Sequence, residues 1–301
     1  MLNRSLIRLV FSRLVFGATL IVAQTLPVGA QAPRPATDPG LNQPNAPAPY
    51  VPMVGQEGKD VIWVPTPASL VDRMLRMARV TPGDVVVDLG SGDGRIAIAA
   101  ASVFRAQSRG IEFNPEMVGL AREQARAAGV GNVVQFIQGD IFTLDFTDAT
   151  VITMYLLPSL NLRLRPKLLE MRPGTRIVSH AFTMGDWEPD ETGNAENRSA
   201  YLWIVPANIQ GGWRIEHSGA HGNETIELTF NQRYQRLEGT ARRGNRLSPV
   251  QGRLVGDQLR FTLADAESGE RLFVGRVVSD KLEGRVRLQS GAETPFSGQR
   301  S

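Results

Sequence analysis

Val85-Val86-Val87-Asp88-Leu89-Gly90-Ser91-Gly92-Asp93-Gly94-Arg95 is the stretch on which the reading of this chain turns. The unbroken β-branched run predicts a short strand buried on both faces, as in a parallel sheet. Glycines then open a turn, and helical spacing begins at Arg95 and runs over 95–103. Working outward, 69–79 places Leu70, Met74, Leu75 and Ala78 on one helical face. Downstream, strands at 108–112, 133–138, 149–155 and 175–180 alternate with helices at 115–128 and 159–171. This alternation predicts a doubly wound, Rossmann-like α/β sheet.

Beyond about residue 200 the helical spacing stops. Short alternating runs follow at 201–205, 213–217, 225–230, 234–241, 259–263, 272–278 and 282–288. Turns such as Gly222-Asn223, Arg243-Gly244-Asn245, Gly256-Asp257 and Ser279-Asp280 separate them. The first two runs are assigned to the Rossmann-like sheet as its sixth and seventh strands. The domain therefore spans 59–218, and 219–301 forms a small antiparallel β-rich barrel or sandwich. Gly239, Gly252, Gly275 and Gly284 fall inside strands, as at bends of a curled sheet.

The N-terminus reads differently. Arg4, Arg8 and Arg13 precede an apolar run at 14–23, and Ala30 and Ala32 fit a small-residue cleavage rule. Residues 1–32 are assigned as a signal peptide, which implies a secreted or periplasmic protein. An inner-membrane anchor or an organellar presequence is the alternative. Residues 33–58, with seven prolines, read as an extended, unpacked linker. After signal removal no membrane span is expected.

Composition narrows the function. The net charge is +3, and the three leader arginines account for all of it, so no nucleic-acid surface is indicated. With no cysteine, disulfides, thiolate metal sites and cysteine nucleophiles are excluded, and no metal site is expected.

The loop at 88–95 carries the chemistry. Gly90 and Gly92 permit positive φ and let a ligand approach the backbone beside Ser91. A pyrophosphate loop avoids carboxylates, whereas Asp88 and Asp93 suit the ammonium and sulfonium charges of S-adenosylmethionine. No Gly-Lys-Ser/Thr of a P-loop is present. Glu112 ends the second strand, where one carboxylate can hold both ribose hydroxyls. Asn114 either caps the next helix ahead of Pro115 or touches the ligand. Asp140, after the third strand, can accept from an adenine amino group, with Ile141 and Phe142 as an apolar face. Three acids at the carboxyl ends of three successive strands mark the ligand edge of such a sheet.

On these residues the chain resembles the class I S-adenosylmethionine-dependent methyltransferases. It is similar, more narrowly, to the ATP synthase c-subunit lysine methyltransferases and their bacterial relatives. The resemblance covers about 60–190. It rests on Trp63-Val64-Pro65-Thr66-Pro67, the 88–96 loop, Gly110-Ile111-Glu112-Phe113-Asn114-Pro115 and Tyr155-Leu156-Leu157-Pro158-Ser159-Leu160-Asn161. Leu164-Arg165-Pro166 and Pro173-Gly174-Thr175-Arg176-Ile177-Val178-Ser179-His180 complete it. It implies a protein lysine ε-amino acceptor, with Asp88, Gly90, Glu112 and Asp140 as cofactor contacts. The leader and the β-rich C-terminal module depart from the pattern. Tyr155, His180 and Asp186 are the candidate proton acceptors, His180 being equally readable as a structural histidine. Trp63 and Trp187 are candidates to wall the acceptor channel. Two further readings stay open: a small-molecule methyltransferase, or an exported binding protein that retains the fold without catalysis.

Overall fold

The structure is a computed structural model and describes residues 50–60, 62–219, 222–265 and 269–301. The signal peptide at 1–32 and the linker up to residue 49 lie outside the described residues.

Strands β1 (Val85–Leu89), β2 (Gln107–Glu112), β3 (Val134–Gln138), β4 (Val151–Met154) and β5 (Arg176–His180) are mutually parallel. With β6 (Glu191–Ala195) and β7 (Arg198–Ile204) they form one sheet in the order β3-β2-β1-β4-β5-β7-β6, in which β7 runs antiparallel to both neighbours. The order reverses between β1 and β4, which opens a crevice at their carboxyl ends.

Helices α1 (Ala68–Met77) and α2 (Arg95–Ser102) bury Leu70, Met74, Leu75 and Ile96 against Val86, Val151 and Val178 of the sheet. Helix α3 (Pro115–Ala127) adds Val118 and Ala121 against Phe136. On the other side α4 (Pro158–Leu169) brings Leu164 and Leu168 to Val87, Leu89, Ile152 and Ile177. Valines 86 and 87 thus serve opposite layers, as the period of two in a strand demands.

The C-terminal part is a closed, antiparallel eight-stranded barrel. Its strands are β8 (Gly211–Gly219), β9 (Gly222–Arg233), β10 (Arg236–Arg243), β11 (Arg246–Val255), β12 (Gln258–Asp265), β13 (Gly269–Val278), β14 (Lys281–Arg287) and β15 (Glu293–Arg300). Closure comes from β15 pairing with β8. Phe261 and Phe273 stack in the interior, Phe230 and Phe296 meet them edge to face, and together they fill it with side chains, as a barrel of this size permits. The glycines inside strands meet a steric demand: a Cβ at Gly239 would collide with the Thr229 carbonyl oxygen, and one at Gly284 with that of Val274.

Two boundaries differ from expectation. Residues 213–217 belong to β8 and pair within the barrel, so they are not the seventh strand of the sheet; β6 fills that role. The Rossmann-like sheet therefore ends with β7, and the barrel begins at Gly211 and not at 219. The described end of the expected linker is exposed but tied by hydrogen bonds to the chain that follows: Gly55 donates to the Trp63 carbonyl at 2.8 Å, and Trp63 donates back to that of Gln56 at 2.9 Å. Among the described residues no helix is long and apolar enough to cross a membrane.

Candidate active site

The carboxyl ends of β1 to β4, with residues 56–60 and 62–66, line a cleft with a cavity of about 260 Å³. Asp88, Gly90, Ser91, Gly92, Glu112, Asn114, Asp140, Ile141 and Tyr155 all line it. These residues come from four strand ends, so their convergence is a property of the topology.

Gly90 and Gly92 have φ of +74° and +53°, where a side chain is strained. A Cβ at Gly92 would stand 2.6 Å from Trp63 Nε1, so Trp63 rests directly on the loop. The Ser91 hydroxyl is buried without a protein partner. It is turned against Gly110, where a Cβ would stand 2.5 Å from it, so what a ligand meets here is the backbone of the glycine loop.

Asp88 is buried and accepts a hydrogen bond from Thr153 Oγ1 at 2.7 Å. Burial pushes its pKa up to about 7; the Thr153 bond opposes this, and the carboxylates of Asp93 and Glu112 add to it. A neighbouring positive charge would reverse that cost. Glu112 spans the loop: Oε2 accepts from the Gly92 amide and Oε1 from the Asn114 amide, each at 2.9 Å. Each oxygen keeps a lone pair, the acceptor set a vicinal diol requires. Asn114 both lines the cleft and caps α3, accepting from Glu116 N at 2.8 Å.

Asp140 lines the cleft but is already engaged. Its Oδ2 accepts from Lys59 Nζ at 2.6 Å and its Oδ1 from the Phe142 amide at 2.9 Å, and the Lys59 bond leads in holding its pKa below the usual carboxylate value. The Lys59 ammonium also lies 4.7 Å from the Phe113 ring centre. Asp93, expected to face a cationic ligand, is instead gripped by Arg95, whose Nη1 reaches the Thr66 carbonyl at 2.9 Å. Arg95 stands in the 88–96 loop on which the resemblance rests, though its pairing with Asp93 leaves no mark there; Lys59 carries no signal in the sequence.

On the acceptor side Tyr155 and Phe182 line the cleft, and their rings stack with centres 6.1 Å apart. His180 does not line it. The imidazole is fully buried behind Tyr155, ring centres 3.7 Å apart, with Nδ1 3.0 Å from Thr66 Oγ1 and Nε2 unpartnered. Burial, with a smaller push from Arg198, lowers its pKa to about 4, so it is neutral near pH 7. Its place beneath the tyrosine suits the structural reading.

The remaining candidates lie elsewhere. Asp186 is held by Arg233, Tyr234 and Arg165, which in that order keep its pKa far below the usual carboxylate range, so it is no base. Trp187 is fully buried against Trp203 and Tyr234 and walls no channel, whereas Trp63 does line the cleft.

A family model described as the ANTKMT methyltransferase domain matches residues 88–191. A protein-lysine N-methyltransferase of Saccharolobus islandicus is 42% identical over 151 residues, which cover 48% of this chain and 94% of that protein. The mouse ATP synthase c-subunit lysine N-methyltransferase is 36% identical over 43% of this chain, which spans about half, 52%, of the mouse protein. Among solved structures, an RNA methyltransferase from Salinibacter ruber, in complex with S-adenosyl-L-homocysteine, is 52% identical, with a TM-score of 0.48. That match covers 48% of this chain and 96% of the other.

Proposed function

The chain belongs to the class I S-adenosylmethionine-dependent methyltransferase family that includes the archaeal protein-lysine N-methyltransferase, and from that premise we propose that it methylates the ε-amino group of a protein lysine. S-adenosylmethionine supplies the methyl group, carried on a sulfonium centre. The residues present fit that cofactor: a glycine cradle with positive φ, a buried acid, and acids at the next two strand ends.

Asp88 would hold the positive end of the cofactor, its carboxyl ionising as that charge arrives. Glu112 would hold the ribose hydroxyls with lone pairs already aimed by the Gly92 and Asn114 amides. Asp140 and Ile141 would hold the adenine, Asp140 exchanging Lys59 for the new donor. Tyr155 and Phe182 wall the acceptor side, so Tyr155 is the residue we assign to orient the incoming amine. His180 acts behind it as a platform. Because an ammonium has no lone pair, the acceptor must first release its proton, and the cleft is open to water that can take it.

The observation that carries this reading is the convergence of nine sequence-designated residues on one cleft. The lysine acceptor is supported by the archaeal relative, whose sequence is matched over 94% of its length. We assign no nucleic-acid acceptor, since the chain beyond the leader has no net positive charge to meet phosphates. The arginine-led apolar leader supports an exported location for the mature protein.

The test is transfer of labelled methyl from S-adenosylmethionine to a lysine-containing peptide and to the same peptide with its lysines acetylated. Labelling of the first alone supports the proposal. Equal labelling of both contradicts it.

A further inference from the structure

Among the described residues the barrel contributes none to the cleft wall, yet it grips the segment that does. Between β5 and β6 the chain runs through 181–190. Its first turn is strained: Ala181 has φ +63°, and the Phe182 amide donates to the His180 carbonyl at 2.8 Å, closing a γ-turn with positive φ. Such turns are rare and persist where the surroundings hold them. This one directs Phe182 into the cleft wall against Tyr155.

The turn itself is held from within the sheet domain: the Ala181 amide donates to the Ser199 carbonyl at 2.8 Å, Asn161 Nδ2 to the carbonyls of Phe182 and Thr183 at 3.4 and 3.3 Å, and Arg165 Nη1 to that of Met184 at 2.9 Å. The stretch that follows, 186–190, is fastened in addition by the barrel, chiefly by its β9–β10 turn. Arg233 Nη2 and Tyr234 Oη donate to Asp186 at 2.8 and 3.0 Å, opposite Arg165 of α4. The Tyr234 ring stacks on Trp187, centres 5.8 Å apart and planes 19° apart. Gln235 Nε2 donates to the Glu188 carbonyl at 2.7 Å, and Arg253 pairs with Asp190. Tyr234 itself has φ +54°, a second strained residue at the centre of the grip. Residues 186, 187, 188 and 190 are thus each fastened to the barrel.

We propose that the barrel is a positioning element for methyl transfer: Arg233 and Tyr234 fix Asp186 and Trp187, and with them the stretch that anchors the strained turn from its far end and sets Phe182 against Tyr155 on the acceptor side. The inference rests on the methyltransferase reading of the cleft. It separates two quantities that a general stabilising role would not. Cofactor residues lie on β1 to β3 and their loops, away from this segment, so releasing the grip should impair transfer and spare cofactor binding.

The test uses the full chain with Arg233→Ala, with Tyr234→Phe, which keeps the stack and loses the hydroxyl, and with both sites changed to Ala. Three readouts are taken: hydrogen exchange over 181–187, S-adenosylmethionine affinity by calorimetry, and methyl transfer to poly-L-lysine. In the double variant we expect exchange over 181–187 to quicken by about tenfold or more. Cofactor Kd should stay within about twofold, and kcat should fall by about tenfold or more, the scale of a misplaced reacting partner. Tyr234→Phe should recover most of the lost rate. Unchanged exchange over 181–187 in the folded variants overturns the proposal, as does a loss of cofactor affinity matching the loss of rate. Should the double variant fail to fold, Arg233→Ala on the surface decides by the same readouts. If the native chain binds cofactor but leaves poly-L-lysine unmethylated, the lysine reading fails, while exchange and affinity still judge the grip.

Discussion

The Tyr155 ring lies on the His180 imidazole with centres 3.7 Å apart and planes at 28°, and the Thr66 hydroxyl meets Nδ1 at 3.0 Å. A buried histidine with its pKa lowered to about 4 stays unprotonated in the folded chain, while the unfolded chain takes up a proton near 6.5. Its contribution to stability is therefore complete above pH 6.5 and is lost as pH falls toward 4. His180→Phe keeps a ring beneath Tyr155 and removes the titration. Urea midpoints at pH 7.5 and pH 5 should fall further for the native chain than for the variant; parallel falls would sink this account. His217, also lowered by burial, contributes equally to both proteins.

Asp88 has the opposite sign. With a folded pKa of about 7 against 3.8, its contribution is present below pH 3.8 and lost as pH rises through 7. A cationic ligand reverses the preference, so cofactor binding should expel a proton near pH 7 and tighten between pH 6 and 7.5. Calorimetry in two buffers of different ionisation enthalpy measures that proton. Asp88→Asn should bind more weakly and with a flat pH dependence; an unchanged proton release in the variant would place the titrating group elsewhere.

Glu112 holds two backbone amides and has lone pairs to spare. Glu112→Ala should weaken S-adenosylmethionine binding by ~1–3 kcal/mol, the range for a charge-assisted contact. Glu112→Gln, which keeps the shape, should lose less. Equal affinity for all three folded proteins would remove Glu112 from the site.

At Gly92, φ of +53° and the Trp63 contact act together. Gly92→Ala should destabilise the fold by roughly 1–2 kcal/mol from backbone strain alone and displace Trp63. Adding Trp63→Ala should relieve the clash while leaving the strain, so stability returns in part. A single variant as stable as the native chain would show that Trp63 does not rest on this loop.

Much of this was legible in the sequence, for reasons that differ by residue. Val85-Val86-Val87 followed by three glycines admits few conformations, and the acids of the next two strands fall at fixed offsets from the strand ends. Strand β6 was missed because Glu191–Ala195 is polar or small throughout, with Gly193 its one buried member. The 213–217 run was misplaced because an alternating strand looks the same at a sheet edge and in a barrel wall. Strands β11 and β15 were missed where Pro249 and glycines dilute the inward-facing residues. Lys59 reaches Asp140 across 81 positions, and His180 lies beneath Tyr155; neither relationship leaves a local pattern.

The most direct test of the central claim is where the methyl group goes. Labelled S-adenosylmethionine is incubated with the purified chain and an extract holding both protein and RNA, and hydrolysates of each fraction are resolved. The account predicts label recovered as Nε-methylated lysine from protein, lost with Asp88→Asn. Label in methylated nucleosides, or in no acceptor while the cofactor binds, would contradict it.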